Sequence, residues 1–247
     1  MELVVLGCAS FLAWLISMIA GGGSPLILIP LVSALFGSEA IAPVITVGML
    51  ISNIQRTLFF KSEIDWRVSR WHIPGAILGA ILGACALNQL HLDWLETCIG
   101  VMLLVMALSE LLGENRIQFK LQAWQFLPLG YCNAFLSALI GSTGPILNPF
   151  YLNYGLVKEA LVATKAANVL VIHGVKTASY TVLGNLNGTY ILYGLVIGLA
   201  AIPANWLGKA VLSKMSSGQF RKVVFIFLAF SGLLMLWEQR TLWIGIA

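Results

Sequence analysis

The stretch AGGGSPLILIP, Ala20 to Pro30, interrupts the first apolar run of this chain. Three glycines, a serine and two prolines this close together stop an α-helix, because glycine costs backbone entropy and proline lacks an N–H and clashes with the preceding turn. A second stretch, GSTGPILNPF from Gly141 to Phe150, breaks another apolar run in the same way. Within lipid such breaks are severely constrained: non-helical backbone survives at membrane depth only where protein or a water-filled cavity satisfies its polar groups. Gly21 to Gly23 and Gly141 to Gly144 are therefore expected to face a cavity.

Composition places these runs in lipid. Of 247 residues, 59% are hydrophobic and 10% charged, and the mean hydropathy is +0.91. A soluble domain carries about 25% charged residues. The chain thus reads as a polytopic membrane protein whose recurring apolar runs, each of about 20 residues, can cross a bilayer. The net charge of +4 does not point to nucleic acid, since Lys and Arg cluster in a few loops and their position outweighs their sum. Cys8, Cys85, Cys98 and Cys132 form no CxxC pair and read as small packing hydrophobes. Glu2 stands where a cleavable signal would carry positive charge, and no segment is long enough for an extramembrane domain. Neither a cofactor nor a metal site is expected.

Apolar runs and turn signals predict an interrupted stretch at about 3–36, then helices at about 40–61, 70–90 and 93–112. After the polar linker GENRIQFKLQ the pattern restarts with an interrupted stretch at about 124–154 and helices at about 158–183, 190–213 and 219–238. An offset of 120 residues superposes Glu39-Ala40 on Glu159-Ala160, Arg56-Thr57 on Lys176-Thr177, and Phe60 on Tyr180. The chain therefore reads as an internal duplication: one repeat over 1–112, a cytoplasmic linker over 113–123 and a second repeat over 124–247.

Three basic groups, Lys61 with Arg67 and Arg70, Arg116 with Lys120, and Lys209, Lys214, Arg221 and Lys222, should all be cytoplasmic. This requires each interrupted stretch to enter and leave on one side. Its arms of about 17 and 12 residues are short of the roughly 20 a full crossing needs. Each half is then a re-entrant, glycine-tipped hairpin plus three transmembrane helices, so the two halves have opposite orientation and both termini are external. The expected fold is an all-α polytopic membrane protein of two inverted repeats, an arrangement found in secondary transporters. A broken but ordinary helix pair is the competing architecture.

The breaks also suggest a site. Ser24 is placed as an N-cap with Pro25 at the first helical position, and Gly144 precedes Pro145 in the same way. Helix N-termini there, at Ser24 to Leu26 and Gly144 to Ile146, would offer free N–H groups to an oxyanion. Gly22, Gly23 and Gly141 would allow close approach, and Ser142 and Thr143 add hydroxyl donors. Arg56, Lys165 and Lys176 are the cations well inside predicted spans, and no acidic residue accompanies them in those stretches. Intramembrane charges are functional by default. Thr46, Met49, Asn53, Arg56 and Phe60 share one helix face; Lys165, Asn168, Ile172, Lys176 and Tyr180 share another. Arg56 and Lys176 are expected as paired cations from the two halves, with Asn53, Asn148 and Asn168 lining the same anion site and His173 available for proton coupling. The competing accounts are snorkelling of the three cations to the headgroups, asparagines that only join helices, and a histidine that is merely packed. Gly75, Gly79 and Gly83, at four-residue spacing, read as a close helix-packing face.

With these residues in view the chain resembles the TauE/SafE family of sulfite and organosulfur anion permeases. The resemblance spans nearly the whole chain and rests on GGGSPLILIPLV followed by GSEAIAP, FFKSEIDW before PGAILGAILGA, and GSTGPILNPF with KEALVATKAAN. Its second glycine motif is poorer in glycine than the family's usual one. The resemblance implies transport of a small sulfur-containing anion such as sulfite, thiosulfate or sulfoacetate, coupled to the proton gradient, in a bacterial-type inner membrane. Its partners would be that anion and the lipid bilayer, with a homo-oligomer left open. The alternatives are an anion channel, an accessory membrane subunit, or, in place of this non-enzymatic reading, an intramembrane hydrolase using Ser142 and His173.

Overall fold

The computed structural model describes residues 2–87, 100–108, 121–143 and 145–238. Among them ten α-helices form an all-α bundle: α1 (Glu2–Ile19), α2 (Pro25–Phe36), α3 (Ile41–Phe59), α4 (Trp66–Ala86), α5 (100–108), α6 (Phe126–Ile140), α7 (Asn148–Tyr154), α8 (Lys158–Val182), α9 (Gly188–Lys214) and α10 (Ser217–Glu238). Four segments of the described chain are long and apolar enough to cross a membrane: Glu2–Ile19, Ser38–Phe59, Gly188–Lys214 and Ser217–Trp237. At 25 residues α8 is longer than three of these, but it carries Lys158, Glu159, Lys165 and Lys176. It tolerates such polarity because α3 and α4 pack along it, so that Asn168 and Lys176 are fully buried in protein.

Both breaks fall where the glycines stand. Gly21, Gly22 and Gly23 have φ of 69°, 135° and 105°, three successive conformations that a side chain would oppose. At about 1.5 Å per residue, α2 with 12 residues is about 18 Å long and α6 with 15 about 22 Å, both short of a hydrocarbon core of about 30 Å. The second break departs from expectation. Its following helix starts at Asn148 rather than Pro145, because residues 145–147 are spent in turns, with the Ile146 amide on the Thr143 carbonyl at 3.3 Å and the Asn148 amide on the Pro145 carbonyl at 2.9 Å. What remains, α7, is seven residues long and ends at Gly155, with φ of 108°. It folds back beside the start of α6, where Phe126 stacks on Tyr151 with ring centroids 5.2 Å apart.

Two helices start earlier than the apolar pattern alone suggests because polar caps precede them. Asp65 Oδ1 accepts the Arg67 and Val68 amides at 2.9 and 3.1 Å, which moves the start of α4 back to Trp66. Asn187 Oδ1 accepts the Tyr190 amide at 2.8 Å and starts α9 at Gly188. Most of the helix expected at 93–112 lies outside the described residues.

Helix packing relies on small residues. A Cβ at Gly75, Gly79 or Gly83 of α4 would lie 2.1, 2.2 or 2.5 Å from the carbonyl oxygens of Leu127, Tyr131 and Phe135 on α6. The glycine face is thus the close-packing surface its spacing predicts. Gly194 and Gly198 of α9 meet Val47 and Ile51 of α3 in the same manner. The cysteines differ from expectation: Cys8, Cys85 and Cys132 are free but exposed on the bundle surface rather than packed inside it, and Cys98 lies outside the described residues.

Candidate functional site

The two breaks converge on one cavity of about 30 Å³, enough for two or three water molecules. From the first half it is walled by the glycine turn Gly21 to Gly23, Pro25, Ser17, Met49, Asn53 and Arg56. The second half supplies Asn133, Ser137, Ser142, Thr143 and Tyr151, together with Lys165, Val169 and His173 from one face of α8.

Arg56 is 5% exposed and surrounded by neutral groups. Its Nε donates to Asn205 Oδ1 at 2.9 Å, both terminal nitrogens reach Ser17 Oγ at 3.3 Å, and Nη2 reaches the Trp14 carbonyl at 3.3 Å. The Trp14 ring lies 5.3 Å from the guanidinium carbon. Lys165 Nζ donates to the Gly21 carbonyl at 2.9 Å and to Asn148 Oδ1 at 2.6 Å. Asn148 in turn donates to the Ala20 carbonyl at 3.4 Å. Among the described residues no carboxylate lines the cavity. Both basic side chains are therefore hydrogen-bonded to neutral groups, with no counter-charge among the described residues that line the space.

Lys176 has a different position. Its Nζ donates to the carbonyls of Ser137 and Gly141 at 2.7 and 2.6 Å and to Ser137 Oγ at 3.3 Å, which uses all three of its N–H bonds. Tyr180 donates to the Ala138 carbonyl at 2.6 Å. Two residues of α8 thus satisfy the C-terminal carbonyls of α6, which a helix end leaves without partners, and a cation there also suits the helix dipole. Arg56 instead meets α1 at the Trp14 carbonyl, before its last turn, and at Ser17 Oγ.

The chain matches the family model described as sulfite exporter TauE/SafE over residues 6–235. It belongs to that family. The family is one of exporters, so this is a membrane transport protein and not an enzyme, with a sulfite or organosulfur anion as the indicated substrate class. No curated protein and no solved structure matches it.

In this TauE/SafE chain the structure gathers Gly22, Gly23, Pro25, Asn53, Arg56, Ser142, Thr143 and His173 around the cavity. Gly141, Pro145, Asn168 and Lys176 stand outside its lining, and Gly144 is outside the described residues. Asn168 joins helices instead, donating to Tyr151 Oη at 3.0 Å. Ser24 also lies outside, and it does not cap α2: its hydroxyl is turned to Met49 Sδ at 3.8 Å. The first amides of α2 are already engaged, Leu26 on the Gly23 carbonyl and Ile27 on the Ser24 carbonyl, each at 3.1 Å. In the second half the Ile146 amide is held the same way. The expected amide-donor sites at the two helix starts are therefore largely occupied, and side chains dominate the cavity. Lys165 is the residue that the expected pairing of Arg56 with Lys176 overlooked. The available signal was position: it lies eight residues before His173, on the same stripe of α8.

Proposed function

We propose that this chain is a secondary transporter that carries a small sulfur-containing anion, of the sulfite, thiosulfate or sulfoacetate type, coupled to protons, by alternating access of two inverted repeats. The observation that carries the reading is the pairing of Arg56 and Lys165 on one small cavity that no carboxylate among the described residues lines. The anion would be held by these basic side chains and by Asn53, Ser142 and Thr143, with Gly22 and Gly23 letting it approach the turn closely and Lys176 fixing the second hairpin rather than touching the ligand.

Pairwise symmetry supports the duplication. A shift of 120 residues carries Ser17 onto Ser137 and Arg56 onto Lys176, and both pairs are hydrogen-bonded at 3.3 Å. The same shift maps α1 onto α6, α3 onto α8 and α4 onto α9. Accordingly α1 packs on α9 as α6 packs on α4, α3 packs on α9 as α8 packs on α4, and α3 and α8 pack on each other. Such exchange is what a two-fold axis between the halves produces, and two short-armed breaks meeting at that axis suit a transporter core. On this reading the repeats are 1–112 and 124–247, the basic loops face the cytoplasm across a bacterial-type inner membrane, and the termini are external.

Counterflow of radiolabelled sulfite in proteoliposomes of the purified protein tests the reading, with thiosulfate, sulfoacetate, sulfate and chloride as competitors. Saturable counterflow with selective competition is expected. Flux without saturation or counterflow would make the protein a channel, and no flux from folded protein would remove the carrier reading.

A further inference from the structure

Lys165 breaks the symmetry of the two halves. Arg56 and Lys176 are counterparts, but the shift of 120 residues carries Lys165 onto Ile45, so the first half has no matching cation. Its ammonium reaches out of the second half to the glycine turn of the first, at the Gly21 carbonyl. The other acceptor is Asn148 Oδ1, and both acceptors are neutral. A lysine amine has three N–H bonds when charged and two, with a lone pair, when neutral. Two protein acceptors therefore satisfy both N–H bonds of the neutral amine, while its lone pair, the third N–H of the charged form, is left to the cavity that Lys165 lines.

The groups that face this position decide what it holds. Arg56 from α3 brings a second positive charge, His173 comes from α8 itself and Tyr151 from α7. The lining residues of α1, α2 and α6 are neutral, Ser17, Pro25, Asn133 and Ser137 among them. With the cavity empty, a proton on Lys165 has two neutral acceptors and the repulsion of Arg56, and no counter-charge among the described residues that line the cavity. With an anion present, the same proton gains a counter-charge and a third hydrogen bond.

We propose that Lys165 takes up one proton as an anion enters the cavity and gives it back as the anion leaves, so that anion and proton cross together. The step forms one N–H bond on the amine lone pair, the proton coming from bulk water on whichever side the cavity opens to, and no other bond changes. The inference rests on the anion-transport reading and names the group that couples it.

The test is calorimetric titration of the purified full-length protein with thiosulfate and with sulfoacetate, whose own protonation does not change near neutral pH. Titration in buffers of high and low ionisation enthalpy, from about pH 6 to about pH 9, counts the protons bound with each anion. The wild type should take up about one proton per anion over part of that range. Lys165→Arg keeps the charge but cannot release it, and should bind with no proton uptake. His173→Gln should retain the uptake. Wild-type binding without uptake, uptake persisting in Lys165→Arg, or anion binding without uptake in His173→Gln would each overturn the proposal while leaving the anion site standing. Should Lys165→Arg bind no anion, the wild-type and His173→Gln titrations decide alone. Failure of folded wild type to bind either anion would overturn this proposal together with the reading beneath it.

Discussion

Substituting Gly79 by alanine probes the close backbone contact between α4 and α6. A Cβ there would lie 2.2 Å from the Tyr131 carbonyl oxygen, whereas carbon and oxygen approach ordinarily to about 3.3 Å. Helices α4 and α6 must then separate by about 1 Å, and the partner is backbone, so no rotamer change relieves the contact. A gap of that size forfeits a quarter to a half of the dispersion energy of the facing atoms, here the Ala76, Ala80 and Ala134 layer. Overpacking of this kind costs about 1–3 kcal/mol. The substitution also gains about 1 kcal/mol of helix propensity, which would mask part of the loss. Gly174→Ala is the internal control: it lies within α8, gains the same propensity, and its Cβ would meet nothing within 4 Å among the described residues. The difference between the two variants isolates the packing cost. At about 2–4 °C per kcal/mol for a chain of this size, Gly79→Ala should melt about 2–12 °C below Gly174→Ala. The assay is thermal unfolding in detergent followed by intrinsic tryptophan fluorescence. Equal melting temperatures would refute the argument that bare backbone contact sets this interface.

Arg56→Gln removes a cation that no carboxylate among the described residues balances and should weaken anion binding by about 1.5–3 kcal/mol, roughly tenfold to more than a hundredfold, in a titration with sulfite. Lys176→Met leaves the Ser137 and Gly141 carbonyls without their donor, at about 1–3 kcal/mol each. Its melting temperature should fall while anion affinity changes less than in Arg56→Gln; the reverse order would make Lys176 the ligand. Gly23→Ala forces a side chain into a φ of 105° and places its Cβ 2.0 Å from Phe227, so transport of labelled anion should be lost with the protein still inserted in the membrane. His72 is fully buried, and neither ring nitrogen has a partner among the described residues. Its replacement by leucine should leave the melting temperature unchanged or raise it, measured in the same fluorescence assay.

Sequence by itself determined the class of molecule, the two breaks and the ladder of helices between them, because these depend on local chemistry. Glycine and proline act on their own backbone, and apolar runs report the solvent they need. The repeated register was legible for a similar reason: Arg56 and Lys176 stand 120 residues apart, and the structure hydrogen-bonds them to Ser17 and Ser137, which stand 120 residues apart as well. What the pattern lacked was distance. Lys165 and Lys176 lie on one face of α8 three turns apart, and only tertiary packing decides that the first reaches the Gly21 carbonyl beside the cavity while the second is consumed by the end of α6. Likewise the N-cap pattern at Ser24 was correctly placed, yet its hydroxyl faces Met49 of another helix and its amide neighbours are closed by turns. A helical face specifies direction to within one stripe. Which groups along that stripe are neutralised, and which are left to a ligand, depends on the acceptors that other helices bring, and those are fixed only when the helices pack.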